Sequence, residues 1–341
     1  MRAISYSRTG GPDVLQLVDR EVPEPGPGEV RVRVVRSGVN PTDWKSRSGF
    51  GSTGPAPFPQ TVPNQDGAGV VDAVGRGVDA GRVGQRVWIW EAAFQRADGT
   101  AQELTVVPAE RAVALPDRAD FDLGASLGIP FLTAHRALTV NEDGPVEIGP
   151  GSLQDRVVLV AGGAGAVGNA AIQLGRWADA TVIATVSSPE KAQLARAAGA
   201  DHVLDYRTQD VAELVREIAP HGVHTVVEVA PATNAAIDVA VLARHGVVAV
   251  YADDGDGSLT LPVRELMGPN ARWQFVLVYT EPAVAKARAV ENVTAAVAEG
   301  AIRVGEHAGL PLHHYPLAET GAAHAAVEAA AVGKVLVDVD R

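Results

Sequence analysis

Apolar and polar residues follow two different rhythms along this chain. From the N-terminus to about residue 120 the pattern is short and strand-like. Val30-Arg31-Val32-Arg33-Val34-Val35 alternates with period two, as a half-buried strand does. It follows a turn-rich connector, Pro23-Glu24-Pro25-Gly26-Pro27-Gly28. Gly67–Gly75 and Gln85–Trp90 read as further strands, and Ser48–Pro59, dense in Gly, Ser and Pro, reads as an exposed loop. From about Phe121 strand-like runs and helix-like segments alternate, the signature of βαβ units in a parallel sheet. The expected strands are Val157–Val160, Thr181–Val186, His202–Leu204, Thr225–Val229, Val247–Val250 and Gln274–Tyr279. Helices are expected at Asn169–Trp177, Pro189–Ala198, Val211–Ile218 and Thr233–Ala243. Together they make one doubly wound domain. An Ala-rich helix (Ala283–Glu299), a second helix (Glu319–Ala331) and a strand (Lys334–Val339) close the chain. That last strand has no evident partner in the doubly wound sheet, so it is expected to return to the β-rich region. The fold class is α/β.

The chemistry-bearing segment sits where the first doubly wound strand ends. Val157–Val160 runs into Gly162-Gly163-Ala164-Gly165-Ala166-Val167-Gly168, and a helix follows at once. Gly163, Gly165 and Gly168 have the spacing G-x-G-x-x-G. The first glycine permits a tight turn, the second lets backbone approach a pyrophosphate, and the third lets helix pack on strand. The helix N-terminus offers unpaired N–H groups to the anion. Gly162, Gly163, Ala164, Gly165, Ala166 and Val167 are therefore candidate cofactor contacts.

The next strand indicates which dinucleotide. NAD-binding strands end in Asp or Glu about twenty residues past the glycine loop, on the ribose hydroxyl. Here that place falls at or near Val186, and Ser187-Ser188-Pro189-Glu190-Lys191 follows. Two hydroxyls and an ammonium suit a 2′-phosphate, which a carboxylate would repel. Tyr206-Arg207 is placed to complete that pocket. NADPH is expected over NADH; the plainer reading is that Ser187 and Ser188 cap the helix starting near Pro189. Tyr251, Val276 and Leu277, at the ends of later strands, are further candidate contacts.

Composition narrows the classes. The 341 residues are 46% hydrophobic and 21% charged, and the net charge is −12. No Lys/Arg block exists, so a nucleic-acid partner is not expected. Cysteine is absent, which removes disulfides, thiolate catalysis and cysteine-ligated zinc. Met1–Tyr6 carries no apolar leader-like run, and every apolar run is interrupted short of a membrane span. A cytoplasmic enzyme with a small-molecule substrate and no membrane partner is expected.

Several stretches together resemble the zinc-independent quinone oxidoreductase (zeta-crystallin-like) branch of the medium-chain dehydrogenase/reductase superfamily. They are Ser37–Trp44, Gln65–Val71, Gly84–Val87, Ile129–Ala134, the glycine loop, Pro189-Glu190-Lys191 with Gly199-Ala200-Asp201, and Gly333-Lys334-Val335. The resemblance implies a GroES-like β-rich catalytic domain over 1–122, completed by 281–341, and a Rossmann NADPH-binding domain over 123–280. It also implies an active site in the cleft between lobes, and a homodimer or homotetramer. Where zinc-dependent relatives have a Cys after Gly-Val, this chain has Asn40; where they have Gly-His-Glu, it has Asn64-Gln65-Asp66. No metal is expected, because an amide is a poor zinc ligand.

Asn40 is then the expected catalytic hydrogen-bond donor and Gln65 a second one. Asp43 is a candidate proton donor, with capping of a turn before Trp44 an equal alternative. Thr133 and Lys334 join the expected cofactor contacts. Without a Lewis acid, substrates that accept hydride readily are implied: quinones or α,β-unsaturated carbonyl compounds. An enoyl-thioester reductase is the alternative enzyme, and a non-catalytic nucleotide-binding protein the alternative outside catalysis.

Overall fold

In a computed structural model the protein is described over residues 1–51, 54–253 and 257–340. The chain divides into two compact units. One comprises Met1–Ile129 with the tail from Leu312 onward, the other Pro130–Pro311.

The first unit is built on a seven-stranded sheet centred on the long strand Glu29–Val39. Along one path the order is Leu312–Pro316, Lys334–Asp338, Glu29–Val39, Asp66–Val74, Arg86–Ile89, Ala112–Ala114; Leu104–Pro108 also pairs with Glu29–Val39. The alternation expected at Val30–Val35 has a direct outcome. Val30, Val32 and Val34 are fully buried, while Arg31 reaches across to Asp72 at 2.8 Å. The tail strand does return here, antiparallel to Glu29–Val39 with Val335 opposite Val39. Sequence rhythm gave no sign of the small antiparallel pair Arg2–Ser5 and Gln16–Asp19, nor of the eight-residue helix Pro41–Ser48. Part of the expected loop Ser48–Pro59, namely Ser52 and Thr53, lies outside the described residues.

The second unit is a six-stranded, wholly parallel sheet. Its order is His202–Asp205, Thr181–Val186, Val157–Val160, Val223–Glu228, Leu242–Val250, Arg272–Phe275. The strand order reverses between Val157–Val160 and Val223–Glu228, where open α/β sheets bind their ligands at the carboxyl ends. Leu159, Ile183, Val226 and Val248 form the apolar centre with Val211 and Val215 of the helix Val211–Ile218.

Several boundaries differ from expectation. The expected strand Gln274–Tyr279 is Arg272–Phe275, and a 3-10 turn takes Val278–Thr280. The helix expected at Thr233–Ala243 spans Pro231–Val241, since proline is well suited to a first turn. The tail helix is Thr320–Glu328. The units break at Ile129/Pro130 and Pro311/Leu312, instead of after 122 and 280. Residues 281–311 group with the parallel sheet because their polar side chains and backbone are spent there. Asn292 Oδ1 accepts from Ile148 N at 2.8 Å, and Gln173 Nε2 donates to Arg303 O at 3.0 Å.

Candidate functional sites

In the second unit the glycine segment forms a turn that only glycine permits. Gly162 has φ of +68°, a left-handed conformation. A Cβ on Gly168 would lie 2.4 Å from the carbonyl oxygen of Gly162, so helix and turn touch backbone to backbone. A Cβ on Gly163 would meet Ala184 at 2.9 Å. The helix begins at Ala166, three residues before the expected start, with Gly165 as its N-cap and no side chain occupying the cap. Gly165 is exposed and Ala166 and Val167 are half-buried, so the opening turn of the helix lies within reach of solvent. Such a terminus is an anion seat. Ala164, by contrast, is buried.

One strand over, Thr181–Val186 ends beside this turn: Gly163 N donates to Thr185 O at 3.0 Å. Ser188 caps the helix Pro189–Ala198, accepting from Lys191 N at 3.3 Å. The cap reading therefore holds for Ser188. Ser187 is not used in the cap. Its hydroxyl accepts from Lys191 Nζ at 3.0 Å, leaving a half-exposed hydroxyl–ammonium pair with no carboxylate on the strand end. Tyr206 N bonds Val186 O at 3.1 Å, which brings Tyr206 and Arg207, both exposed, to the same edge. Tyr251, Val276 and Leu277 follow the ends of their strands on that carboxyl edge. Leu277 is 58% exposed, Val276 is buried, and burial with the nearby Glu228 charge pushes the Tyr251 hydroxyl above its ordinary range. Thr133 is buried within the helical segment Phe121–Leu138, and His135, also buried there, bonds Asn292 at 2.8 Å. The turn, its bare cap and the Ser187–Lys191 pair fit a phosphorylated dinucleotide.

In the first unit, Asn40, Asp43, Asp66 and Lys334 form one buried network. Lys334 Nζ donates to Asn40 Oδ1 at 2.7 Å, and Asn40 Nδ2 donates to Asp66 Oδ2 at 2.7 Å. Lys334 Nζ stands 3.5 Å from Asp66. These bonds fix the amide's orientation and leave one hydrogen of Nδ2 uncommitted. Lys334 is thus a partner of Asn40, 1% exposed, on a strand of the β-rich unit. Asp43 accepts from Asn40 N at 2.7 Å, the capping arrangement weighed from sequence, at the start of the helix Pro41–Ser48. Gln65 is likewise engaged, its Oε1 accepting from Ala93 N at 3.1 Å.

Asp66 was not singled out by sequence reasoning, yet it organises the site. Pro130 lacks an N–H, and the Phe121–Leu138 segment leaves helical dihedrals at Gly128. Asp66 accepts the Ile129 N–H at 2.9 and 3.1 Å, and a Cβ on Gly128 would lie 2.0 Å from its oxygen. The available signal was a carboxylate placed directly before the small and apolar run Gly67–Val71, at the start of the strand Asp66–Val74. Burial pushes the Asp66 carboxyl up while the Lys334 charge pulls it back, and burial pushes Lys334 down. Asp43 is pushed up to about 8, first by burial, with the Asp66 charge adding to it and the Asn40 N–H bond opposing it. The cluster is read as an Asp66–Lys334 ion pair beside a protonated Asp43. These residues do not fit a divalent metal: an ammonium already stands among the donors, and Asn40 and Gln65 are spent on other bonds.

No helix among the described residues is long and apolar enough to cross a membrane.

Two family models cover most of the chain: an alcohol dehydrogenase GroES-like domain over residues 26–117 and a zinc-binding dehydrogenase over 166–295. The chain is 32% identical to the synaptic vesicle membrane protein VAT-1 homologue of Rattus norvegicus, over 80% of its own length and 64% of that protein. It thus spans less than two thirds of that relative's length. It is 34% identical to a quinone oxidoreductase of Rattus norvegicus over 78% of its length and 77% of the relative's. The structure resembles that of Escherichia coli quinone oxidoreductase complexed with NADPH, with a TM-score of 0.80, 26% identity, and coverage of 99% of this chain and 100% of the other. Fold, glycine turn and sequence identity over three quarters of the chain agree, and the chain belongs to the quinone oxidoreductase branch of the medium-chain dehydrogenase/reductase superfamily.

Proposed function

We propose that this protein is an NADPH-dependent reductase that delivers hydride to quinones or α,β-unsaturated carbonyl compounds without a metal. The observation that carries the reading is the end of the strand Thr181–Val186. There the Ser187 hydroxyl and the Lys191 ammonium stand together, in the place where an NAD enzyme has a carboxylate. A 2′-phosphate supplies the acceptor oxygens that such donors need. The quinone oxidoreductase relative and the NADPH-bound structural neighbour support the same choice.

NADPH, when bound, supplies the hydride; this chain's share is holding, orienting and polarising. Gly162–Gly168 seats the pyrophosphate on the helix N-terminus, and Ser187 and Lys191 hold the 2′-phosphate, with Tyr206 and Arg207 at its rim. Tyr251, Val276, Leu277 and Thr133 are assigned to the remainder of the cofactor. In the β-rich unit Asn40 directs its uncommitted Nδ2 hydrogen at the substrate oxygen as negative charge develops there. Lys334 and Asp66 hold that amide in one orientation, which sets Lys334 as a support of Asn40 as well as a cofactor candidate. Asp43 caps the helix that carries this corner, Gln65 braces the turn at Ala93, and solvent supplies the closing proton. With no Lewis acid in the scheme, conjugated acceptors are favoured over isolated carbonyls. A cytoplasmic homodimer or homotetramer goes with this reading, and sedimentation checks the assembly.

NADPH oxidation measured with 9,10-phenanthrenequinone, an alkyl enone and crotonyl-CoA ranks the substrate classes. Quinone or enone turnover is the expected result; tight NADPH binding without turnover of any of the three removes the reductase reading. Lys191→Ala is expected to weaken NADPH binding about 10- to 100-fold, the loss of one charge-assisted bond, and to leave NADH affinity unchanged. Equal losses for both nucleotides would take Lys191 out of the phosphate pocket.

A further inference from the structure

A second buried carboxyl cluster, in the parallel-sheet unit, has no part in the scheme above. Glu228 closes the strand Val223–Glu228 and is fully buried. Its neighbour Val229 lies against the glycine turn, where a Cβ built on Gly162 would come within 3.2 Å of Val229 Cγ1. The chain then enters the helix Pro231–Val241, whose Asn234 and Asp238 stand one turn apart on a single face. Asn234 Nδ2 donates to the two Glu228 oxygens at 3.0 and 3.2 Å, and Ala230 N donates to Oε1. The Asp238 carboxyl completes the set with a hydrogen bond to Glu228.

Two carboxyl groups share a hydrogen bond only if one keeps its proton. Glu228, ringed by N–H donors, is the ionised partner. Asp238 is 1% exposed and its Oδ2 has no hydrogen-bond partner, so a charge there would go unsolvated. Burial, reinforced by the Glu228 charge, holds Asp238 up to about 9. Other charged groups on the packed elements point to solvent: Glu213, Arg216 and Glu217 on Val211–Ile218, and Arg244 and His245 on Leu242–Val250. Tyr251 is the remaining titratable neighbour, and it feels Glu228.

We propose that Asp238, in its protonated form, is a positioning residue for the dinucleotide turn, tying down Glu228 and thereby the Val229 side chain that packs on Gly162. This rests on the dinucleotide reading given above. Loss of the proton sets two carboxylates against each other, Glu228 shifts, and Val229 no longer supports the turn. Nucleotide affinity therefore falls as pH rises through the Asp238 titration.

The test is NADPH affinity, followed by its fluorescence, between pH 7 and 10 for the wild type and for Asp238→Asn. The amide of the variant donates to Glu228 without a proton to lose. The wild-type Kd is expected to rise at least tenfold across this range and the variant's Kd to rise less than threefold. Lys191 is common to both proteins, so the difference between the curves isolates Asp238. Parallel curves overturn the proposal. Should the variant not fold, a wild-type Kd that stays flat to pH 10 also overturns it. Absence of NADPH binding by the wild type at every pH would instead fail the dinucleotide reading.

Discussion

Gly168→Ala is expected to abolish measurable NADPH binding, whereas Gly165→Ala is expected to weaken it while leaving the fold intact. The added methyl at 168 would meet three backbone atoms, at 2.4 Å for Gly162 O and 3.0 Å for both Gly162 C and Gly163 Cα. Backbone cannot rotate aside as a side chain can, so the turn must open. The strain is about 1–3 kcal/mol, and the thermal midpoint should fall with it. At Gly165 a methyl would sit 3.4 Å from Gly162 O, an ordinary contact, with φ of −81° that any residue adopts. Gly165 is exposed at the helix cap, so under the proposed function that methyl competes with the pyrophosphate for room. An affinity loss of about 10- to 100-fold, roughly 1.4–2.8 kcal/mol, with an unchanged midpoint is the expected outcome for Gly165→Ala. The pair separates ligand space from folding, and it is checked by NADPH titration beside thermal unfolding. Unaltered NADPH affinity in Gly165→Ala would move the pyrophosphate away from this turn.

Asp66→Ala should be among the most destabilising single changes in the β-rich unit. It strips the Lys334 ammonium of its counter-charge, the Asn40 amide of its acceptor and the Ile129 N–H of the carboxylate it donates to. Removing one member of a buried ion pair costs about 3–5 kcal/mol, chiefly because the other charge is left uncompensated. At about 2–4 °C per kcal/mol, the transition of that unit should drop by roughly 6–20 °C. If the stranded ammonium is the cause, Asp66→Ala combined with Lys334→Met should recover more than half of the lost stability. It should not recover activity, because Asn40 then has neither bond that orients it. Additive losses in the double variant would show that the pair is not coupled in the way described.

How much of this was legible beforehand differs by element, for physical reasons. Thr181–Val186, Pro189–Ala198, Val211–Ile218 and Ala283–Glu299 were read to the residue because local signals bound them. Ser188 and Pro189 open one helix and Gly199, with φ of +107°, closes it. The strand after Ala271 was misjudged because a run of Gln-Phe-Val-Leu-Val-Tyr has the composition of a strand throughout. Only its pairing with Leu242–Val250 decides where it stops, at Phe275. The unit boundary was shifted for a similar reason: Asn292 and Arg303 declare their allegiance only through bonds to residues more than a hundred positions away.

The candidate sites divide along the same line. The glycine turn and the Ser187–Lys191 pair are contiguous stretches whose geometry follows from backbone sterics and short-range capping, so they could be read from the chain alone; the bare cap at Gly165, three residues ahead of the expected helix start, could not. The Asn40–Asp66–Lys334 network joins residues 26 and 294 positions apart. The Glu228–Asp238 pair depends on where a strand end meets a helix face. Neither Lys334 as the partner of Asn40 nor Asp66 at the Gly128 kink carries a local mark. A charge in low dielectric is defined by what surrounds it, and those surroundings exist only once strands distant in sequence lie side by side.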